Sequence, residues 1–270
     1  MENILLALAV VAGIGLIAGI LLALSSHFFA VKEDETTLKV RECLPGVNCG
    51  ACGYTGCDDY AKAIAEDGAK TNLCIPGGDS CAANIAEILG IEAEDTKEAV
   101  AFVHCNGNLQ ATRKKALYEG INTCRAASMV YAGPEECRFG CLGMGDCLDA
   151  CPTNAICVTD GVARVDSRLC IGCGMCVRTC PKQIISIVPL TAKTVVMCSS
   201  RDKGVVAKKA CDNACIACKK CEKTCPSDAI HVVDNLAIID YDKCTHCGAC
   251  DEVCPTGCIK NVRFEQHQVF

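Results

Sequence analysis

The chain has 270 residues, a formal charge of −6, and 28 cysteines. A cysteine content of about a tenth leaves two classes, a secreted disulfide scaffold or a metal protein. There is no Trp and aromatic residues make up only 4%; the acidic balance gives no footing for nucleic acid.

Residues Ile4 to Leu24 form 21 consecutive uncharged residues, nearly all apolar. As a helix they span about 31 Å, enough for a bilayer core. A cleaved signal peptide needs a basic n-region, and only Met1, Glu2 and Asn3 precede the run. The expectation is an uncleaved transmembrane anchor over residues 1–26. Lys32, Lys39 and Arg41 follow it, which puts the N-terminus outside and the rest in the cytoplasm. Gly15 and Gly19 form a G-x-x-x-G suited to close packing on another membrane helix. The glycines do not fit a dinucleotide loop, because the spacing is wrong and no strand precedes them.

A linker over 27–37 leads to a segment, 38–92, that reads as a single-cluster domain. Cys49-x2-Cys52-x4-Cys57 places three thiols on a loop with Gly50, Gly53 and Gly56. Cys74, before Pro76-Gly77-Gly78, supplies a fourth. Asp58 reads as the N-cap of a helix to about Asp67, and Ala82 to Leu89 as a second helix closed by Gly90. The connecting segment 93–136 suggests a strand over Glu98 to Cys105. Leu109 to Glu119 suggest a helix whose Arg113, Lys114 and Lys115 are either a solvated face or a dock for an acidic partner.

Four cysteine runs follow. Cys170, Cys173, Cys176 and Cys180 with Pro181, Cys215, Cys218, Cys221 and Cys225 with Pro226, and Cys244, Cys247, Cys250 and Cys254 with Pro255 share one spacing. C-x2-C-x2-C-x3-C-P is the bacterial ferredoxin run for [4Fe–4S] clusters. The first three thiols belong to one cubane and the fourth to the other cluster of a two-cluster unit. Cys137-x3-Cys141-x5-Cys147-x3-Cys151-Pro152 is a looser copy. Cys151 to Cys170 and Cys225 to Cys244 are both steps of 19 residues, so the runs form two pairs. The expected units are 137–190 and 215–270, joined by a connector over 191–214. In each, a hairpin carries the chain between runs, at Asp160-Gly161 and at Asp234-Asn235. Thr194 to Met197 suggest a strand, and Lys203 to Ala210 a helix. Structural zinc also uses C-x2-C pairs, but it explains neither the third cysteine at the same step nor the proline. With open clusters in place of disulfides, the compartment is read as reducing.

The anchor, the L-P-G-x-N-C-G-x-C-G-Y-x-G-C segment ending at Cys57, the C-x-P-G-G segment at Cys74 and the ferredoxin runs together resemble the B subunit of the Rnf complex. That complex is a membrane-bound, ion-translocating ferredoxin:NAD+ oxidoreductase. The resemblance implies an iron–sulfur electron-transfer subunit that accepts electrons from soluble ferredoxin. It would pass them to integral membrane and flavin-bearing subunits, with NAD+ reduction coupled to Na+ or H+ translocation. It implies Cys49, Cys52, Cys57 and Cys74 as the ligands of the small domain, with Cys43 and Cys81 as buried thiols. The chain departs from short family members in carrying two ferredoxin units. The alternatives are an anchored polyferredoxin serving a hydrogenase or corrinoid enzyme, and a zinc scaffold without electron traffic.

The fold expected is therefore α+β, with one transmembrane helix, a small 4Fe–4S domain and two 2[4Fe–4S] units. Twenty cysteines then hold five clusters. Eight are left over: Cys43, Cys81, Cys105, Cys124, Cys157, Cys198, Cys211 and Cys258. Cys157 and Cys258 read as small buried side chains. Cys105, Cys124, Cys198 and Cys211 are either buried thiols or the ligands of a sixth cluster, without a tight loop to gather them.

Overall fold

The computed structural model describes residues 2–28 and 34–264, with the side chains of the first helix described over 12–25. That helix, α1 (Glu2–Phe28), is continuous over 27 residues. Over the described residues, no helix is long and apolar enough to cross a membrane. The first part of the expected anchor lies outside the described side chains. Ile14, Leu16, Ile17, Leu21 and Leu22 of α1 are all exposed.

Three helices make the small domain: α2 (Glu35–Cys43), α3 (Cys57–Asp67) and α4 (Gly78–Leu89). Val40, Tyr60, Ile64 and Ile85 form its core together with Cys57, Cys74 and Cys81. Tyr60 is buried because its hydroxyl is satisfied: it donates to the Lys70 carbonyl at 2.7 Å and accepts from the Leu73 amide at 3.2 Å. α3 begins two residues earlier than expected, at Cys57, with Gly56 rather than Asp58 as N-cap. Asn48 Oδ1 takes the Cys57 N–H at 2.8 Å, so the first amide needs no cap from Asp58. The Asp58 carboxylate instead pairs with Arg41.

The remainder is one arrangement built twice. The first copy runs β1 (Ala99–Val103), α5 (Cys124–Met129), α6 (Asp146–Asp149), β2 (Ile156–Thr159), β3 (Val162–Val165), α7 (Met175–Thr179) and β4 (Ile185–Pro189). The second runs β5 (Thr194–Val196), α8 (Gly204–Ala210), α9 (Lys220–Thr224), β6 (Ile230–Val233), β7 (Leu236–Ile239), α10 (Ala249–Glu252) and β8 (Ile259–Asn261). In each copy the first strand pairs antiparallel with the last, β1 with β4 and β5 with β8, and the middle strands form a hairpin. The strands that precede the cysteine runs therefore close the units. Segments 93–136 and 191–214 are more than spacers.

Strand alternation explains how the copies join. Ala101 and Val103 of β1 face the core of the first unit, with Ile156, Val162 and Ile185. Val100 and Phe102, on the opposite side, pack with Val188, Val195, Met197, Val262 and Phe264. Phe102 and Phe264 meet edge to face with ring centroids 6.0 Å apart. Val196 turns back into the core of the second unit with Ile230, Leu236 and Ile259. Strands covered on both sides account for the continuous apolar runs at 99–103 and 195–197. His104 adds a polar pin, its ring bonded to the Val196 carbonyl at 2.7 Å and Ser186 Oγ at 2.6 Å.

Residues 109–119 do not form the expected helix. Asn108 Oδ1 accepts from the Ala111 amide at 2.9 Å. The Arg113 and Lys115 amides then bond to the carbonyls of Ala210 and Pro134. A side chain that captures a nearby amide competes with the helix, and here it lays the segment across the second unit. Cys157 is exposed, contrary to expectation, because the pleat of β2 turns it outward from buried Ile156. Cys258 is buried, at 2% exposure.

Ile230 is 1% exposed and Ile238 is 43% exposed. Truncating Ile230 to Ala removes transfer energy and leaves a cavity, costing about 2–5 kcal/mol. Anaerobic urea titration followed by cluster absorbance should show a lower midpoint for Ile230→Ala and an unchanged one for Ile238→Ala.

Candidate metal centres

The small-domain loop holds its thiols with backbone amides. Gly50 and Gly53 have φ of 68° and 91°, a conformation glycine adopts without strain. The Tyr54 amide faces the Cys52 sulfur. The Cys57 and Cys74 sulfurs belong to the domain's buried core. Cys81 donates a hydrogen bond to Cys74, which pulls the Cys74 thiol down to about 7. Gly77 makes this approach possible: a Cβ there would sit 2.8 Å from the Cys81 sulfur and 3.2 Å from the Cys74 sulfur.

In the second unit, Cys225 lines one cavity with Cys244, Cys247 and Cys250. The fourth cysteine of one run thus joins the first three of the other. The converse set is Cys215, Cys218, Cys221 and Cys254. Cys258 ties two of its members together, with its sulfur 3.6 Å from that of Cys254 and a hydrogen bond to Cys215. With one S–H to give, Cys258 serves one of the two at a time, and whichever of Cys254 and Cys215 accepts is drawn below the usual thiol range. Cys258 stands where the other three runs have Ala155, Ile184 and Ala229, so this cluster alone gains a thiol donor from that position.

In the first unit, Cys151 gathers with Cys170, Cys173 and Cys176, each raising the Cys176 thiol, whose main cause is burial. For the irregular run, the crossing of ligands leads to the expectation of Cys137, Cys141 and Cys147 with Cys180. Cys141, Cys147 and Cys180 line one cavity, and its fourth cysteine is Cys124, not Cys137. Counting back from Cys151-Pro152, the regular spacing requires cysteines at 147, 144 and 141. Position 144 is methionine. The Met144 amide faces the Cys124 sulfur, so a thiol from α5 enters where the run lacks its own. α5 is held there by Asp146, which accepts from the Cys124 and Arg125 amides at 2.6 and 3.0 Å. The signal was present in the sequence as a run in register from its proline, with one cysteine replaced.

These donor sets are all thiols, buried or half-buried except for Cys218 and Cys247, and backbone amides point at many of the sulfurs. That chemistry suits clusters whose charge is balanced by N–H···S bonds. Among the described residues, no group of three or more His, Cys, Asp or Glu side chains converges as on a single ion. A cubane takes its thiolates at separate corners, farther apart than one ion does.

The small domain abuts the first unit. Arg178 donates to the Cys49 carbonyl, and the Cys173 thiol feels the charge of Cys49. At Gly172, φ +65°, a Cβ would strike the Ala99 carbonyl at 2.6 Å and Ile75 Cγ2 at 2.7 Å.

Comparison with known proteins bears on the whole chain. An Fe–S cluster family matches residues 44–76. A 4Fe–4S dicluster family matches 169–229 and 214–258, the first match running across the boundary between the two units. A protein of Acetobacterium woodii, named as the B subunit of a Na(+)-translocating ferredoxin:NAD(+) oxidoreductase complex, is 44% identical over 96% of this chain and 78% of its own length. The Clostridium ljungdahlii protein named as the B subunit of a proton-translocating ferredoxin:NAD(+) oxidoreductase complex is 41% identical over 90% of this chain and 87% of its own. The B subunit of an ion-translocating oxidoreductase complex from Methanosarcina acetivorans is 39% identical over 91% of this chain and 94% of its own. Together with the thiol sets, these similarities show that the chain belongs to the family of Rnf-complex B subunits, as an iron–sulfur electron-transfer component of an ion-translocating ferredoxin:NAD+ oxidoreductase.

Proposed function

We propose that this chain receives electrons from soluble ferredoxin and passes them to the integral membrane and flavin-bearing subunits of its complex. At least five [4Fe–4S] clusters would carry them. The ligand sets are Cys49, Cys52, Cys57 and Cys74; Cys151, Cys170, Cys173 and Cys176; Cys124, Cys141, Cys147 and Cys180; Cys215, Cys218, Cys221 and Cys254; and Cys225, Cys244, Cys247 and Cys250. The observation that carries this is the gathering of thiols from separate runs into single cavities. The clusters supply one-electron chemistry when bound. The protein sets their spacing, excludes water and donates hydrogen bonds to sulfur.

The anchor reading rests on two features. The 21-residue apolar run from Ile4 lies wholly within α1, and the described apolar side chains of that helix are exposed. Cβ atoms built at Gly15 and Gly19 meet nothing within 4 Å, which leaves that face open for another membrane helix. The proposed topology is single-pass in the cytoplasmic membrane, with the N-terminus outside and the clusters in the cytoplasm.

Deleting residues 1–26 should leave a cluster-binding protein that no longer floats with liposomes; co-flotation of the isolated truncated chain would contradict the anchor. Cys124→Ala should lower iron content by about four atoms per chain. Adding Met144→Cys to that variant restores a regular run and should restore the iron; unchanged iron in Cys124→Ala would remove Cys124 from the ligand set.

A further inference from the structure

Four of the remaining cysteines come together where the two units meet. Cys105, Cys137, Cys198 and Cys211 line one cavity, with Cys141 of the neighbouring set also at its wall. Its non-atom space is about 380 Å³, against about 330 Å³ in each of the two cavities lined by cluster thiols. We propose that these four cysteines hold a further [4Fe–4S] cluster, and that it is the electrical link between the two ferredoxin units.

The four positions are related by the internal repeat. Cys105 lies two residues after β1 and Cys198 two residues after β5. Cys137 lies four residues before Cys141, and Cys211 four before Cys215. The hydrogen bonds repeat with them. The Cys141 amide donates to Cys105 Sγ at 3.4 Å, and the Cys215 amide to Cys198 Sγ at 3.3 Å. The residues leading into the pair are held alike: the His104 amide bonds to the Ile184 carbonyl and the Met197 amide to the Cys258 carbonyl, both at 2.7 Å. Each unit thus contributes two equivalent thiols to a shared site.

Each of the four sulfurs also receives an amide from two residues ahead. Gly107 donates to Cys105 and Ser200 to Cys198, both at 3.4 Å. The Phe139 and Asn213 amides do the same for Cys137 and Cys211. The proposed ligands Cys52, Cys173 and Cys215 have this arrangement, with Tyr54, Met175 and Ala217. Thiols that merely fill a core have no use for an amide aimed at each sulfur, whereas cluster thiolates do. A Cβ at Gly107 would meet the Cys211 sulfur at 3.4 Å and the Cys105 sulfur at 3.6 Å, ordinary contact distances, so a branched side chain there would reach into the cavity.

The walls of the cavity are pinned between units. The Asn213 side chain donates to the Asn106 carbonyl at 2.8 Å, and Ser199 Oγ to the His104 carbonyl at 2.8 Å. The Asp212 amide reaches the Ala111 carbonyl at 2.9 Å. Cys141 of the first unit's set also lines this cavity, and the amide of Cys215, from the second unit's set, bonds to Cys198 at its wall. An electron entering from either neighbour leaves to the other, one at a time, with no bond made or broken. The linking role rests on the electron-transfer reading above; the iron content does not.

Anaerobic iron and acid-labile sulfide counts on the full-length chain decide the site. The intact protein should hold about 24 iron atoms, and Cys105→Ala, Cys198→Ala or the double variant about 20 each. Cys105→Ala with Cys124→Ala should fall to about 16, because those two thiols serve different clusters. About 20 in the intact protein, unchanged in Cys198→Ala, overturns the site; about 16 in Cys105→Ala with Cys198→Ala overturns the shared set. If the alanine variants lose all iron by unfolding, Gly107→Val, which crowds the cavity and keeps every ligand, should lose the same four. For the link, the complex carrying Cys105→Ala with Cys198→Ala is mixed rapidly with reduced ferredoxin. Fast bleaching limited to the clusters of one unit is expected, and full bleaching at the original rate with four irons missing would overturn it.

Discussion

Everything in this chain depends on the need of a cubane for four thiolates at its corners and for dipoles to balance their charge. A three-cysteine loop satisfies most of that need locally, and the fourth ligand must come from elsewhere. Long-range structure follows from that fourth ligand. Cys225 crosses to the set of Cys244, and Cys180 to the set of Cys141, so neither run is complete without its partner. The hairpins β2–β3 and β6–β7 bring the runs together, and the outer strand pairs β1–β4 and β5–β8 fix the ends. Ligation thus does work that a larger domain assigns to an aromatic core.

The same constraint orders the clusters in space. The small domain meets the first unit at Cys49 and Cys173. Within that unit, the thiols of Cys147 and Cys176, from the two sets, feel one another. The cavity of Cys105 and Cys198 follows, and then the second unit, where Cys221 and Cys250 face each other in the same way. With the proposed linking cluster in place, these contacts set the thiol groups in series from the small domain to the exposed Cys247 loop. Around it the protein varies the surroundings of individual clusters. Cys81 and Cys258 lend thiol donors to two of them, while burial pushes Cys147 and Cys176 up to about 12.

The regular runs are legible in the sequence because three ligands and a proline sit within a dozen residues. The hairpins are legible from Asp160-Gly161 and Asp234-Asn235, and the strands after Glu98 and at Thr194 from their apolar runs. Other features are hidden for physical reasons. The replacement of a run cysteine by Met144 disguises the register, so spacing groups Cys137 with Cys141 and Cys147 where the cavity holds Cys124. The helix expected at 109–119 gives way to bonds with Ala210 and Pro134 that no local pattern encodes. The cavity of Cys105, Cys137, Cys198 and Cys211 gathers thiols from four separated segments. The count of unassigned cysteines points to Cys105, Cys198 and Cys211 but offers Cys124 in place of Cys137, because Met144 hides the register of the irregular run.

The most direct measurement is an iron map of the intact complex, by anomalous scattering at the iron edge or by electron cryo-microscopy. Six clusters in an unbranched line are predicted, one of them between the two ferredoxin units and bounded by Cys105, Cys137, Cys198 and Cys211. Protein density filling that cavity, or clusters that branch so the units join by another route, would contradict the account.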